Sequence, residues 1–217
     1  MNALTLQIFT IVFVALSVLL LTEFLHRKKL AHIEINRKII HIFGGFIASI
    51  LPLILPRWFV IYLMLIATLL FLVEKKINFL PSLHGVIRRT HGEILFPLGI
   101  ALVILLEPQA WRITYGILIM GVSDAMASIV GSKWGRIKYQ TFSNHTKTYL
   151  GSATFFICTL AIGITGLIIG ESFTISQALL PATIASLILT LIEAGSSNGL
   201  DNLLIPISAS LIMRLIV

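Results

Sequence analysis

Eight apolar runs divide the chain, at roughly 4–24, 38–56, 58–74, 92–107, 112–131, 152–170, 178–193 and 203–217. Short polar stretches separate them. In a bilayer every backbone polar group must be satisfied within the protein, so runs of this kind cross as helices. The pattern therefore predicts an all-α, polytopic transmembrane helix bundle. It forms one integral membrane domain over residues 1–217 with about eight spans (range six to eight). The fourth, seventh and eighth runs are short for a crossing of ~20 residues, so one of them is a candidate half-buried or re-entrant segment. The first run lacks a basic leader and a small-x-small cleavage site, and it reads as a retained span, not a removed signal peptide.

Composition agrees. The chain is 57% hydrophobic and 12% charged, where a soluble domain carries about 25% charge. The single cysteine, Cys158, rules out an intramolecular disulfide. The net charge of +7 does not point to nucleic acid, because the basic residues flank the apolar runs. That placement is a topological signal. With the N-terminus outside, three inside loops hold thirteen of the sixteen basic residues. They are Arg27, Lys28, Lys29, Arg37 and Lys38; then Lys75, Lys76, Arg88 and Arg89; then Lys133, Arg136, Lys138 and Lys147. Arg57, Arg112 and Arg214 remain on the other side. The last inside loop carries Glu193 and Asp201 instead. A multi-pass protein of a prokaryotic plasma membrane, with its active site on the cytoplasmic face, is the expectation.

The polar residues inside this apolar background carry the candidate chemistry. Asp124 lies within the fifth run, where a carboxylate costs about 2.5–3.5 kcal/mol on insertion scales. At regular helical spacing Gly121, Asp124, Ser128, Gly131 and Gly135 share one face. Such a face makes either a tight helix–helix seam or a site where Asp124 holds Mg²⁺ and the glycines let backbone amides reach a phosphate. Lys147 and Thr148 follow, then Gly151. Lys147 reads as a topological lysine or a phosphate contact, and Thr148 as an N-cap. No G-x-x-x-x-G-K-[ST] motif occurs, which excludes a soluble P-loop kinase. Arg37, His41 and Gly45 recur every four residues at the mouth of the second run, with Lys38 beside them. Glu93 and Pro97 open the fourth run. Glu193, Asp201, Asn202 and Pro206 bracket the last loop, as turn residues or as further oxygen ligands near Asp124. Gly166 and Gly170 form a GxxxG read as packing.

From Arg37 onward the sequence resembles the dolichol kinase, phytol kinase and CTP-dependent diacylglycerol kinase family, which is related to the phosphatidate cytidylyltransferases. The family pattern D-x-x-A-S-x-x-G-x-x-x-G…K-T-x-E-G-S is matched by Asp124, Ala127, Ser128, Gly131, Gly135, Lys147, Thr148, Gly151 and Ser152. Arg37, Lys38 and His41 match R-K-x-x-H, Glu93 and Pro97 the fourth-span element, and Glu193, Asp201, Asn202 and Pro206 the C-terminal element. The family glutamate within K-T-x-E-G-S is Leu150 here.

The resemblance implies a Mg²⁺-dependent lipid-alcohol kinase with CTP as phosphoryl donor and a membrane prenol (polyprenol, dolichol or phytol-like) or diacylglycerol as acceptor. Asp124, Lys147, Glu193 and His41 are the expected catalytic residues. Arg37, Lys38, Ser128, Gly131, Gly135, Lys147, Thr148 and Gly151 are expected around the nucleotide phosphates, and Asp124, Asp201 and Asn202 around the metal. Glu93 and Pro97 fall on the substrate side. Two rival readings are a CDP-lipid synthase of the cytidylyltransferase kind, and a small transporter or membrane assembly factor. The partners are then a membrane lipid and a nucleoside triphosphate. Self-association into a homo-oligomer is allowed by the sequence and not specified by it.

Overall fold

The computed structural model describes residues 17, 24, 33–77, 91–141 and 145–217. The first predicted span, 4–24, and the basic loops at 27–29 and 88–89 lie outside that set, apart from residues 17 and 24. The other seven predicted runs are each a helix. They are α1 (Ile33–Ile54), α2 (Arg57–Ile77), α3 (Gly92–Leu106), α4 (Ala110–Trp134), α5 (Tyr149–Glu171), α6 (Ile175–Gly195) and α7 (Asp201–Ile216). A small antiparallel hairpin, β1 (Lys138–Gln140) with β2 (Thr146–Thr148), joins α4 to α5.

The all-helical bundle is as expected, but the count of about eight spans is not. Among the described residues four helices are long and apolar enough to cross a membrane: α2, α4, α5 and α6. The reason is length. The 15 residues of α3 rise about 22 Å, short of a hydrocarbon core of ~30 Å. The 16 residues of α7 are little longer. The apolar part of α1 is only His41–Ile54, because polar residues fill its first turns.

Apolar side chains point outward along the spans: Trp58, Tyr62, Leu65 and Leu69 of α2 are all exposed. In water such a surface is a liability; in hydrocarbon it is the matching face. Several hydroxyls on the spans bond back to the preceding turn, as Thr68 does to Met64 and Thr154 to Leu150. This satisfies them within one helix, as lipid requires. The core is Ile, Leu, Met and Ala between α3, α4, α5, α6 and α7.

Close backbone approach sets the helix crossings. A Cβ on Gly45 would stand 2.6 Å from the Gly121 Cα, so α1 crosses α4 at a glycine pair. Pro206 has no N–H to give to the Asn202 carbonyl one turn back. That carbonyl and its neighbours instead fill the space beside Gly99 of α3, and the Pro206 carbonyl fills the space beside Gly116 of α4. Gly170 and Gly166 of α5 pack on the Trp111 ring, in keeping with a packing role for that GxxxG. At this same end Arg112 pairs with Glu171 at 3.0 Å and approaches the fully buried Glu107 at 3.9 Å. Arg57 donates to the carbonyls of Ile104, Glu107 and Pro108, closing the end of α3.

Candidate active site

Asp124 sits where α4 changes pitch. Residues Ile119–Ser123 form a single π turn, and the Asp124 amide donates to the Ile119 carbonyl five residues back. One inserted residue turns everything beyond it by about 100° relative to a regular helix. The glycine stripe expected on one face is therefore split. Gly121 faces Gly45 of α1, while Gly131 and Gly135 face Thr148 and Gly151 at the start of α5. A Cβ on Gly131 would lie 2.6 Å from Thr148 Oγ1 and 3.2 Å from the Gly151 Cα. Protein atoms already fill the space beside these three glycines, which is the close-packed seam. Thr148 caps α5, its Oγ1 accepting from the Gly151 amide at 3.1 Å. Ser128 lies one turn beyond Asp124, partly exposed.

The π turn also serves α1. His41 Nε2 lies 3.0 Å from the Met120 carbonyl and 3.7 Å from Asp124 Oδ2. A carbonyl only accepts, so Nε2 carries a proton. The Phe96 ring of α3 packs on the imidazole at 4.9 Å. His41 and Asp124 are each about 15% exposed, at the rim of the bundle. Lys38, one turn earlier on α1, acts electrostatically on Asp201. The Arg37 side chain lies outside the described residues.

The hairpin brings Lys147 to α6. Its Nζ lies 2.6 Å from Glu193 Oε1 and also donates to the Glu193 carbonyl. Glu193 is buried, and its Oε2 has no hydrogen-bond partner. The buried Ser123 hydroxyl, next to Asp124 in sequence, has none either. Asp124 is within electrostatic reach of both Glu193 and Asp201. Burial first, and then the Asp124 charge, push the Asp201 carboxyl up to about 6. Asp201 Oδ1 accepts from the Asn202 amide at 3.0 Å. Asn202 is buried and gives its side-chain nitrogen to the Gly92 carbonyl at 2.8 Å. Gly199, at φ 86°, lets the loop before α7 press on Gly92, where a side chain would collide with backbone. Glu93 faces α2 and pairs with Lys75 at 2.9 Å, and Pro97 is buried within α3.

Six chain segments thus converge on one rim: the start of α1, the π turn of α4, the hairpin, the start of α5, the end of α6 and the start of α7. Asp124, Lys147, Glu193, His41, Lys38 and Asp201 come together there. Glu93 with Lys75 belongs to the α2–α3 edge. Tyr139 of β1, which the sequence did not single out, also belongs to the rim. Its hydroxyl lies 2.7 Å from Ser152 Oγ. Only the alternation of the short stretch 137–141 could have marked it, and three-residue strands are too short to read that way.

The residues fit a hard divalent cation in one manner only. Among the described residues no group of three or more His, Cys, Asp and Glu stands ready to hold a metal. Mg²⁺ is commonly bound by one or two carboxylates, with substrate phosphates completing the shell. Asp124 and Asp201, whose like charges raise one another's cost, provide that partial set. The Asn202 amide nitrogen, in contrast, already ties α7 to α3.

Fold and site together define an integral membrane protein with a cluster of ionisable side chains at one rim of a helix bundle. The chain is 31% identical over 202 residues to the phytol kinase of Synechocystis sp., covering 90% of this chain and 85% of that protein. It belongs to the polyprenol and phytol kinase family. No family model matches the chain, and no solved structure does.

Proposed function

We propose that the protein transfers the γ-phosphoryl group of CTP to the hydroxyl of a membrane prenol, a phytol-like or polyprenol alcohol. The observation that carries this reading is the convergence of Asp124, Asp201, Glu193 and Lys147 from four separate elements on one rim. The phytol kinase activity named for the relative supports the acceptor class. CTP as donor rests on the sequence resemblance.

The prenol oxygen bonds to the γ-phosphorus as the bond to the β–γ bridging oxygen breaks. The phosphoryl group passes to the lipid and CDP leaves. Catalysis of this kind is mostly positioning and charge stabilisation. The Lys147 ammonium offsets charge on the phosphoryl oxygens. The Asp124 carboxylate, beside the His41 Nε2–H, receives the hydroxyl proton. Asp124 and Asp201 would hold Mg²⁺, which when bound supplies positive charge to the triphosphate. The alcohol stays in the bilayer, with only its hydroxyl at the rim.

Purified protein in lipid nanodiscs, given CTP and a panel of lipid alcohols, tests the assignment. Turnover should appear with prenols, and Asp124→Asn and Lys147→Ala should each lower it on the order of a hundredfold. Unchanged turnover in both variants contradicts the site. Pyrophosphate in place of CDP contradicts the reaction class.

A further inference from the structure

The phosphoryl-transfer reading leaves the inward face of the hairpin unexplained. Tyr139 stands opposite Lys147 across the two strands, so both side chains leave the same face. From that face two polar arms reach the bundle. The Tyr139 hydroxyl lies 2.7 Å from Ser152 Oγ, in the first turn of α5. The Lys147 ammonium lies 2.6 Å from Glu193 Oε1 on α6. Burial pushes the Tyr139 hydroxyl pKa up, and the Ser152 hydrogen bond pulls it down. Smaller shifts then come from the Glu193 carboxylate, upward, and the Lys147 ammonium, downward. The phenol therefore stands within reach of both members of the ion pair.

Lys147 by itself is a poor instrument for holding a phosphate in one place. Its charge sits on a flexible four-carbon stem, and ordering such a stem costs entropy. The hairpin that carries it has only three residues per strand, and isolated two-stranded hairpins are marginal. Something must dock the hairpin on the helices. The Tyr139–Ser152 hydrogen bond joins the middle of β1 to α5, directly across from Lys147. Tilted packing of the Tyr139 ring on Tyr149, with centroids 5.1 Å apart, steadies the phenyl group without involving the hydroxyl.

Resting on the kinase reading above, we propose that Tyr139 is a positioning residue which, through Ser152, fixes where the Lys147 ammonium stands between Glu193 and an incoming triphosphate. It touches no reacting atom. Its hydroxyl holds the hairpin, and the hairpin holds the charge.

Tyr139→Phe keeps the ring and removes only the hydroxyl. The KM for CTP should rise about fivefold, the worth of one hydrogen bond, while kcat holds. Ser152→Ala should raise the KM at least as much, because Ser152 also acts on the Glu193 carboxylate, and the double variant should match Ser152→Ala alone, because Tyr139 acts through Ser152. A second readout needs no turnover. The acylation rate of Lys147 by an amine-directed reagent, followed by mass spectrometry without nucleotide, should rise about fivefold in Tyr139→Phe. An unchanged Lys147 acylation rate overturns the proposal, as does a KM equal to that of the native chain. If the native chain turns over no CTP, the kinase reading falls on its own, and the acylation rate still decides the role of Tyr139.

Discussion

Asp201 carries the clearest electrostatic signature in the site. A carboxyl whose pKa is pushed up to about 6 holds its proton more tightly folded than unfolded. Its contribution to stability is full below the ordinary carboxylate range and is lost as pH rises through about 6. On the proposed site, a divalent cation between Asp201 and Asp124 would take over the work of that proton. In EDTA the melting temperature should therefore fall between about pH 5 and pH 7, and saturating Mg²⁺ should raise it more at pH 7 than at pH 5. Equal Mg²⁺ effects at the two pH values would count against Asp201 as a ligand. Asp124 stood out in the sequence because charge is rare in apolar surroundings, and Lys147 because it begins a Lys-Thr pair, with Gly151 close behind, in the family pattern. Their partners did not. Lys147 and Glu193 are 46 residues apart, and no local pattern announces that they meet. Leu150, in place of the family glutamate, is exposed on the first turn of α5.

Helices were the legible elements and their irregularities were not. Seven apolar runs are helices within a few residues of their predicted ends, since hydropathy marks what must be shielded from water. The π turn before Asp124 left no such mark. Its glycine, valine and serine read as ordinary helix, and only packing on α1 reveals the change of pitch. The hairpin was equally silent, because three-residue strands are too short to show alternation. The candidate site is built on both: the π turn sets the crossing that brings His41 to Asp124, and the hairpin brings Lys147 to Glu193. Gly45→Ala should drive a methyl into the Gly121 backbone, with a Cβ 2.6 Å from its Cα. The expected cost is roughly 1–3 kcal/mol, with loss of activity as α1 moves off α4. Gly44→Ala meets only the Phe96 ring at 3.7 Å and should melt like the native chain. Thermal melts of the pair, with turnover measured alongside, check the contrast. Equal behaviour would mean that the crossing does not hold the site.

At the scale of the whole molecule the two ends differ. One end is bound by internal pairs: Arg112 with Glu171, Arg57 with backbone carbonyls. The other gathers the charged rim and the hairpin. The kinase reading requires that rim to face the cytoplasm, where nucleotide is found, and the basic loops carry the same expectation. In a Cys158→Ser background, a cysteine at Lys138 should react with a membrane-impermeant thiol reagent only in inverted vesicles. A cysteine at Ser172, in the loop between α5 and α6, should react only in intact cells. The reverse pattern would place the site on the wrong side for a nucleotide donor. Composition alone made the molecule a membrane protein. Among the described residues fewer helices are long enough to cross than there are predicted runs, because apolar character persists in helices such as α3 and α7 that are too short to span.

The central claim is that this rim moves the terminal phosphoryl group of CTP, and no other part of the nucleotide, onto a lipid hydroxyl. CTP labelled at the γ-phosphorus, or separately at the α-phosphorus, distinguishes the two fates when the lipid fraction is extracted after incubation with a prenol and Mg²⁺. The account predicts γ-label in the lipid and none from α, with Asp124→Asn blank in both. Label from the α-phosphorus in the lipid, or full γ-transfer by Asp124→Asn, would contradict it.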